Sequence, residues 1–179
     1  MSRRFITADT HFGHDNIIKY ESRPFANSNH MTEEITKKWN GLVRAQDVVY
    51  HLGDVSFYPQ NLTKMIVEKL NGRKILILGN HDTRSRNWYL SVGFDQVIPY
   101  PIILDKFWML SHAPLYMNEA MPYVNIHGHL HSKQVMGANY VCVSLEQTAY
   151  SPVLFDDIVK RFLPDTGDTD IPVIPHGGA

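Results

Sequence analysis

Residues 75–82 read Ile-Leu-Ile-Leu-Gly-Asn-His-Asp, an apolar run that ends directly in a cluster of polar side chains. The run has the length and aliphatic content of a buried β-strand. Four other strand-like runs along the chain also end in Asp or His. The five clusters are Asp9-Thr10-His11, Gly53-Asp54, Gly79-Asn80-His81-Asp82, Ser111-His112 and His127-Gly128-His129. Because ligand sites in α/β proteins lie beyond the carboxyl ends of strands, we expect these clusters to meet at one site.

The order of apolar patterns along the chain predicts an α/β fold with two sheets. The first half alternates strand-like and helix-like segments, and the second half is richer in strands. Strands are predicted at residues 5–8, 47–52, 74–78, 96–98, 102–104, 107–110, 124–126 and 140–144, and helices at residues 32–44, 62–70, 84–91 and 155–162. Two sheets packed face to face, with helices outside, satisfy both halves. We expect a single domain over residues 1–163 and a C-terminal tail over residues 164–179.

Composition excludes several classes of protein. The chain has 179 residues, of which 44% are hydrophobic and 20% charged, as expected for a globular domain with one large core. The net charge of −1 argues against an extended nucleic-acid surface. Cys142 is the single cysteine, so an intrachain disulfide is impossible, and no run approaches the roughly 20 apolar residues of a membrane span. We expect a cytoplasmic protein with no membrane partner.

Seven side chains in the clusters are good ligands for a divalent metal ion. They are Asp9, His11, Asp54, Asn80, His112, His127 and His129. Carboxylate, amide and imidazole groups together suit a hard-to-borderline ion. Seven ligands are too many for one ion with open positions and about right for two, and a carboxylate such as Asp54 can bridge them. The sequence therefore predicts a binuclear centre, for which we expect manganese, while iron, zinc, nickel or magnesium also suit the ligands.

The five clusters resemble the motifs of the calcineurin-like metallophosphoesterase superfamily. The superfamily pattern is DxH, GD, GNH followed by D or E, a single H, and GHxH, in that order. The match runs from Asp9 to His129, with His127 and His129 aligned to the two histidines of the last motif. The opening stretch, residues 7–14, resembles small single-domain phage and bacterial members. The resemblance implies a four-layer αββα sandwich, in which helices flank two mixed β-sheets.

The resemblance also implies a role for each matched residue. One ion would be held by Asp9, His11, Asp54 and His129, and the other by Asp54, Asn80, His112 and His127. A hydroxide shared by the two ions would attack phosphorus. His81 would protonate or stabilise the leaving oxygen, and Asp82 is the neighbour that could hydrogen-bond it.

Four further residues near the clusters are candidate substrate contacts, each with a structural alternative. His14 and Asn16 could touch substrate or simply begin a helix. Arg84 could receive a phosphate or lie at a solvated helix start. His131 could line the pocket or lie exposed in a loop.

These observations together predict a metal-dependent phosphoesterase. We expect a small phosphodiester or phosphomonoester as substrate, derived from a nucleotide, because the chain leaves no room for a capping or DNA-binding domain. The segment after Asp54 lacks the Asp and Arg of phosphoprotein phosphatases, which argues against a Ser/Thr phosphatase. One alternative is a nuclease acting on DNA or RNA ends, which predicts a basic groove. Another is a non-catalytic scaffold, which predicts no bound metal.

Overall fold

Two β-sheets form the centre of the molecule. The computed structural model describes residues 2–118, 120–134 and 137–162, and every structural statement below concerns these residues. The strands are β1 (Arg4–Thr7), β2 (Val48–His51), β3 (Arg73–Ile77), β4 (Gln96–Ile98), β5 (Ile102–Leu104), β6 (Trp108–Ser111), β7 (Val124–His127), β8 (Tyr140–Cys142) and β9 (Val153–Leu154). The α-helices are α1 (Asp15–Tyr20), α2 (Ser28–Leu42), α3 (Gln60–Lys69), α4 (Arg86–Ser91) and α5 (Phe155–Lys160), and a 3-10 turn spans Leu145–Gln147.

Both sheets are mixed, as the family resemblance implied. The first has the order β4-β3-β2-β1-β9, with β9 antiparallel to β1 and the other pairs parallel. The second has the order β5-β6-β7-β8, with β5 antiparallel to β6 and the other pairs parallel. In the parallel strands the carboxyl ends are level, since Thr7 pairs with His51 and Ser111 pairs with His127. The polar clusters that follow these strands therefore leave each sheet at one edge.

The main core lies between the two sheets. Ile6 of β1 and Leu52, directly after β2, pack in one cluster with Leu110 and Ile126 from the second sheet, and all four are fully buried. Phe155 of α5 joins the same cluster. Burying each aliphatic side chain of this size contributes about 1.5–3 kcal/mol, so this layer holds the two sheets together.

Helices cover the other face of the five-stranded sheet. Because side chains alternate along a strand, Phe5 points away from its neighbour Ile6 and packs against Ile35 and Trp39 of α2. A second cluster joins α3 and α4 to the same sheet through buried Val67, Tyr89, Leu76 and Val97. On the four-stranded sheet, Ile103 is 52% exposed.

Element boundaries differ from the predictions where a cap or a tertiary contact decides them. Helix α2 begins at Ser28, before the predicted residue 32, because the Asn27 side chain accepts a hydrogen bond from the His30 backbone N–H at 2.9 Å. Strand β9 was not predicted, since it has two residues and exists only through pairing with β1. No helix in the described chain combines the length and apolar character needed to cross a bilayer. The expected tail, residues 164–179, lies outside the described residues.

Candidate metal centre

Five loops meet at the carboxyl ends of β1, β2, β3, β6 and β7. The loop after β1 continues alongside the loop after β2, because the N–H of Asp9 donates to the Gly53 carbonyl at 2.9 Å and that of His11 to the Asp54 carbonyl at 3.0 Å. Asp54 in turn is tied to the loop after β3, since its Oδ1 accepts from the His81 N–H at 2.9 Å. The loops after β1 and β7 are joined by the N–H of His129, which donates to Asp9 Oδ2 at 2.9 Å. These bonds assemble the site from segments far apart in sequence.

The backbone at this site is strained at several of the polar residues. Five of its residues have a positive φ although none is glycine, namely Asp9 (59°), His11 (47°), Asp54 (59°), His129 (69°) and His131 (54°). Each such conformation costs on the order of 1 kcal/mol or more and persists only where the surroundings impose it. Strain of this kind concentrates at functional sites, and here it turns side chains from several loops toward one centre.

Gly79 and Gly128 allow the loops to approach this closely. A Cβ at Gly79 would lie 2.2 Å from Asp54 Oδ1, and one at Gly128 would lie 2.5 Å from Asp9 Oδ2. Neither position can accept a side chain without moving a carboxylate of the cluster. The absence of a side chain at these two positions therefore leaves room for the carboxylates of Asp9 and Asp54.

Asp9, His11 and His131 form a first group of ligand atoms. One atom from each lies within 4.8 Å of those of the other two. Asp9 Oδ1 and both ring nitrogens of His11 are buried and have no hydrogen-bond partner among the described residues. A buried polar group left unsatisfied costs roughly 1–3 kcal/mol, so three such atoms on two neighbouring side chains indicate that a ligand belongs there. Oxygen and imidazole donors in this arrangement fit a divalent metal ion.

Asn80, His112 and His129 form a second group. His112 Nε2 lies 2.8 Å from Asn80 Oδ1 and 3.2 Å from His129 Nδ1, and His129 Nδ1 lies 2.9 Å from Asn80 Oδ1. Neighbouring ligand atoms of an octahedral ion are separated by about 3 Å, which matches these distances. His112 Nδ1–H donates to the Leu52 carbonyl at 2.7 Å, which leaves Nε2 with a free electron pair.

Asp54 lies between the two groups. Its Oδ2 is 3.5 Å from His11 Nε2 on one side and 3.5 Å from His112 Nε2 on the other. Asp54 is also buried, with 2% of its surface exposed. A carboxylate in this position could bind a metal ion held by either group.

His127 is the predicted ligand that the structure does not bring to either group. Its Nδ1 donates to the Gly128 carbonyl at 2.8 Å, and its ring lies 6.1 Å from that of Tyr140. It lines a cavity of about 330 Å³ that also touches Cys142. His127 is the last residue of β7 and its side chain leaves the strand away from the cluster, whereas His129 and His131 follow in left-handed turns. Had the GHxH motif been read from Gly128 itself, the sequence would have indicated His129 and His131.

Asp82 does not bond to the His81 side chain, as the sequence suggested it could. Its carboxylate accepts from the backbone N–H groups of Asp54 (2.8 Å), Val55 (3.1 Å) and Gly79 (2.9 Å), and from the Tyr89 hydroxyl (3.3 Å). Asp82 therefore holds together the loops that carry Asp54 and Asn80. The exposed His81 ring lies 5.7 Å from the His11 ring, at the open side of the cluster.

The remaining candidates differ in how close they come to the centre. The His14 ring is 5.5 Å from that of His11, while Asn16 lies exposed in the first turn of α1 and Arg84 is exposed before α4. Sequence reasoning missed Phe57, whose ring stacks on His14 at 4.0 Å and remains 44% exposed beside the site. An aromatic residue just after the second cluster was the available signal.

Burial controls the charge of the ligands. It lowers the pKa of His11 far below its usual range and also lowers the pKa of His129. Both imidazoles are therefore neutral, the form that binds metal. For His131 burial lowers the pKa, but hydrogen bonding by Glu146 and the carboxylate of Asp9 outweigh it, so the net shift is upward. Burial raises the pKa of Asp9 to about 6, which a nearby cation would oppose.

Comparison with known proteins places this site in a family. The profile of the calcineurin-like phosphoesterases matches residues 3–177. An uncharacterised protein of Methanocaldococcus jannaschii is 36% identical over 171 residues, which cover 89% of this chain and 91% of that protein. A crystal structure of a protein of unknown function from Aquifex aeolicus has a TM-score of 0.70 and 26% identity, with 90% of this chain and 100% of that chain covered.

A nuclease of Pseudomonas putida is similar at a TM-score of 0.51 and 23% identity, covering 72% of this chain and 62% of that chain. This likeness shows a shared fold. The profile match extends over nearly the whole chain and agrees with the order of the clusters and with the two mixed sheets. The chain belongs to the calcineurin-like phosphoesterase family, whose members are metal-dependent phosphoester hydrolases.

Proposed function

We propose that the protein hydrolyses a small phosphoester with two divalent metal ions held by the residues of the candidate centre. One ion would be bound by Asp9, His11, Asp54 and His131, and the other by Asp54, Asn80, His112 and His129. The observation that carries this assignment is the position of Asp54 Oδ2, 3.5 Å from a histidine nitrogen of each group. The ligand set replaces His127 with His131.

Residues of the chain would have separate roles in the reaction beside those of the metal ions. When bound, the ions supply Lewis acidity, which neutralises charge on a phosphoryl group and lowers the pKa of water. His81 is exposed next to the cluster, so its ring can hydrogen-bond or protonate a leaving oxygen. Asp82 acts through the backbone, since it keeps Asp54 in place. We propose manganese as the metal on the basis of the mixed oxygen and imidazole donors.

For the substrate we propose a nucleotide-derived phosphodiester or phosphomonoester. The exposed ring of Phe57, stacked on His14, lies beside the metal ligands, and Tyr20 continues this aromatic surface with its ring 6.5 Å from that of His14. Aromatic rings at such a place favour a substrate with a base, because base–aromatic stacking contributes about 1–3 kcal/mol. The net charge of −1 favours a small substrate over long nucleic acid.

The test is hydrolysis of bis-p-nitrophenyl phosphate and p-nitrophenyl phosphate by the purified protein with Mn²⁺ added. We expect metal-dependent turnover that is lost in Asp54→Asn and Asn80→Ala while cooperative thermal unfolding remains. A second panel of 2′,3′-cyclic nucleotides, 3′,5′-cyclic nucleotides, mononucleotides and single-stranded DNA and RNA ranks substrates. Preference for polynucleotide ends would favour the nuclease alternative. A folded protein that binds no metal and hydrolyses nothing would instead be a scaffold.

A further inference from the structure

A buried arginine donates hydrogen bonds to the backbone of the loop that carries Asp9 and His11. Arg23 follows α1 and is only 3% exposed. Its Nη2 donates to the Asp9 carbonyl at 2.8 Å and its Nη1 to the Thr10 carbonyl at 3.2 Å. Both carbonyls belong to the turn in which Asp9 and His11 have positive φ. Arg23 therefore stabilises the strained backbone that aims these two side chains at the centre.

The same arginine is paired with a buried glutamate that contacts His131. Glu146 lies in the 3-10 turn Leu145–Gln147, and its side chain is 5% exposed. Its Oε1 accepts a hydrogen bond from Arg23 Nε at 2.8 Å and lies 2.7 Å from Arg23 Nη2 in an ion pair, and it lies 3.1 Å from His131 Nδ1. A single carboxylate oxygen thus links the cation behind Asp9 to the ring of His131.

Arg23 and Glu146 together connect the loop of Asp9 and His11 to the His131 side chain. A histidine that binds metal commonly donates its other N–H to a carboxylate, which fixes the tautomer and the ring orientation. With Nδ1–H directed at Glu146, Nε2 of His131 keeps a free electron pair, and the His131 ring lies 5.1 Å from the His11 ring. Arg23 contacts the other two ligands of the group indirectly, because it donates to the backbone carbonyls of Asp9 and Thr10.

Stability alone does not account for a pair buried this deeply. Removing two charges from water costs several kcal/mol, and apolar residues of similar volume often replace a buried pair without loss. Besides bonding to each other, Arg23 donates to the turn that carries Asp9, and Glu146 contacts the His131 ring. The contacts point to a role in the site.

We propose that Arg23 and Glu146 are positioning residues, which set the metal affinity of the group formed by Asp9, His11 and His131 and leave that of Asn80, His112 and His129 largely unchanged. This inference rests on the proposed function. It assigns a role to residues that touch neither substrate nor metal.

The experiment is a Mn²⁺ titration of the full chain by equilibrium dialysis, with electron paramagnetic resonance to detect coupled ions. Wild type should bind two ions. Glu146→Ala should lose about 10- to 100-fold in affinity for one ion and retain the other. Glu146→Gln keeps an oxygen acceptor for His131 but not the charge, so we expect a smaller loss of at least about threefold. The coupled signal should weaken in both variants.

Asp47→Asn is the matched control. Asp47 is likewise buried and paired with an arginine, Arg3, at 2.6 Å, but it precedes β2 at the opposite ends of the strands. This variant should unfold at a lower temperature and still bind both ions as wild type does.

Each result has a defined reading. If wild type binds two ions and both Glu146 variants bind them equally well, the positioning role is refuted while the proposed function stands. If wild type binds none, the proposed function itself fails. Should Glu146→Ala lose its cooperative thermal transition, Glu146→Gln and Arg23→Lys decide, and unchanged affinity in both overturns the inference.

Discussion

Replacing either His131 or His127 by asparagine separates the two possible ligand sets. Asparagine places a nitrogen near the position of Nδ1 but has no counterpart of Nε2. In His131→Asn the contact with Glu146, 3.1 Å in the wild type, can persist while Nε2, the nitrogen proposed to bind metal, is deleted. In His127→Asn the bond to the Gly128 carbonyl, 2.8 Å in the wild type, can persist as well. The two variants therefore differ mainly in which Nε2 they remove.

The expected magnitudes follow from the two environments. His131 is one of four side chains proposed for its ion. Removing a residue that only hydrogen-bonds a metal ligand already lowers metal affinity by about 10- to 100-fold. Loss of the ligand itself should cost at least about 100-fold, or about 2.8 kcal/mol. His127 packs beside Tyr140 and is 1% exposed, so His127→Asn should cost about 1–2 kcal/mol of unfolding free energy with metal affinity within about twofold of wild type.

The assays are Mn²⁺ binding by equilibrium dialysis, hydrolysis of bis-p-nitrophenyl phosphate, and thermal unfolding of each variant. His131→Asn should bind one ion tightly and lose most turnover, and His127→Asn should bind two and remain active. The reasoning is refuted if His131→Asn keeps both ions at wild-type affinity, and more decisively if His127→Asn loses one.

Three other predictions concern Asp82, Asp47 and Phe57. Asp82→Asn should lose about 2–3 kcal/mol of unfolding free energy in urea, because an amide cannot accept from three backbone N–H groups and Tyr89; a loss below about 0.5 kcal/mol would contradict this. Hydrogen bonds from Arg3 lower the pKa of Asp47 from 3.8 to about 2, so its contribution is complete above pH 4 and lost toward pH 2. The difference in melting temperature between wild type and Asp47→Asn should accordingly close between pH 4 and pH 2, and a constant difference would argue against the ion pair. Phe57→Ala should raise KM for a nucleotide substrate by about 5- to 150-fold with kcat nearly unchanged, whereas KM for glycerol phosphate should not move.

Local sequence was a reliable guide where short-range rules act. Strands β4 and β5 begin and end at the predicted residues, because Pro99 and Pro101 interrupt the apolar pattern between them. The helix around residues 32–44 was predicted from the spacing of Ile35 and Trp39, both of which are buried. Its true start depended on a cap at Asn27, which a periodic pattern does not reveal.

By itself the sequence determined which segments form the sheets and which polar clusters end their strands. Those features depend on residue type and on spacing along the chain, since apolar runs must be buried and parallel strands bring their carboxyl ends to one edge. From them Asp9, His11, Asp54, Asn80, His112 and His129 were all predicted as ligands, and the structure brings these six together.

Only the tertiary structure decided which side chains face the centre. The GHxH motif read from Gly128 favours His131 over His127, but the physical reason lies in the structure: His127 ends a strand and bonds to the Gly128 carbonyl, whereas His129 and His131 follow in left-handed turns. Asp82 was placed beside His81 in sequence, yet its carboxylate bonds to amides of other loops. Glu146 and Arg23 meet across 123 residues of chain, a contact that no local pattern in the sequence indicates.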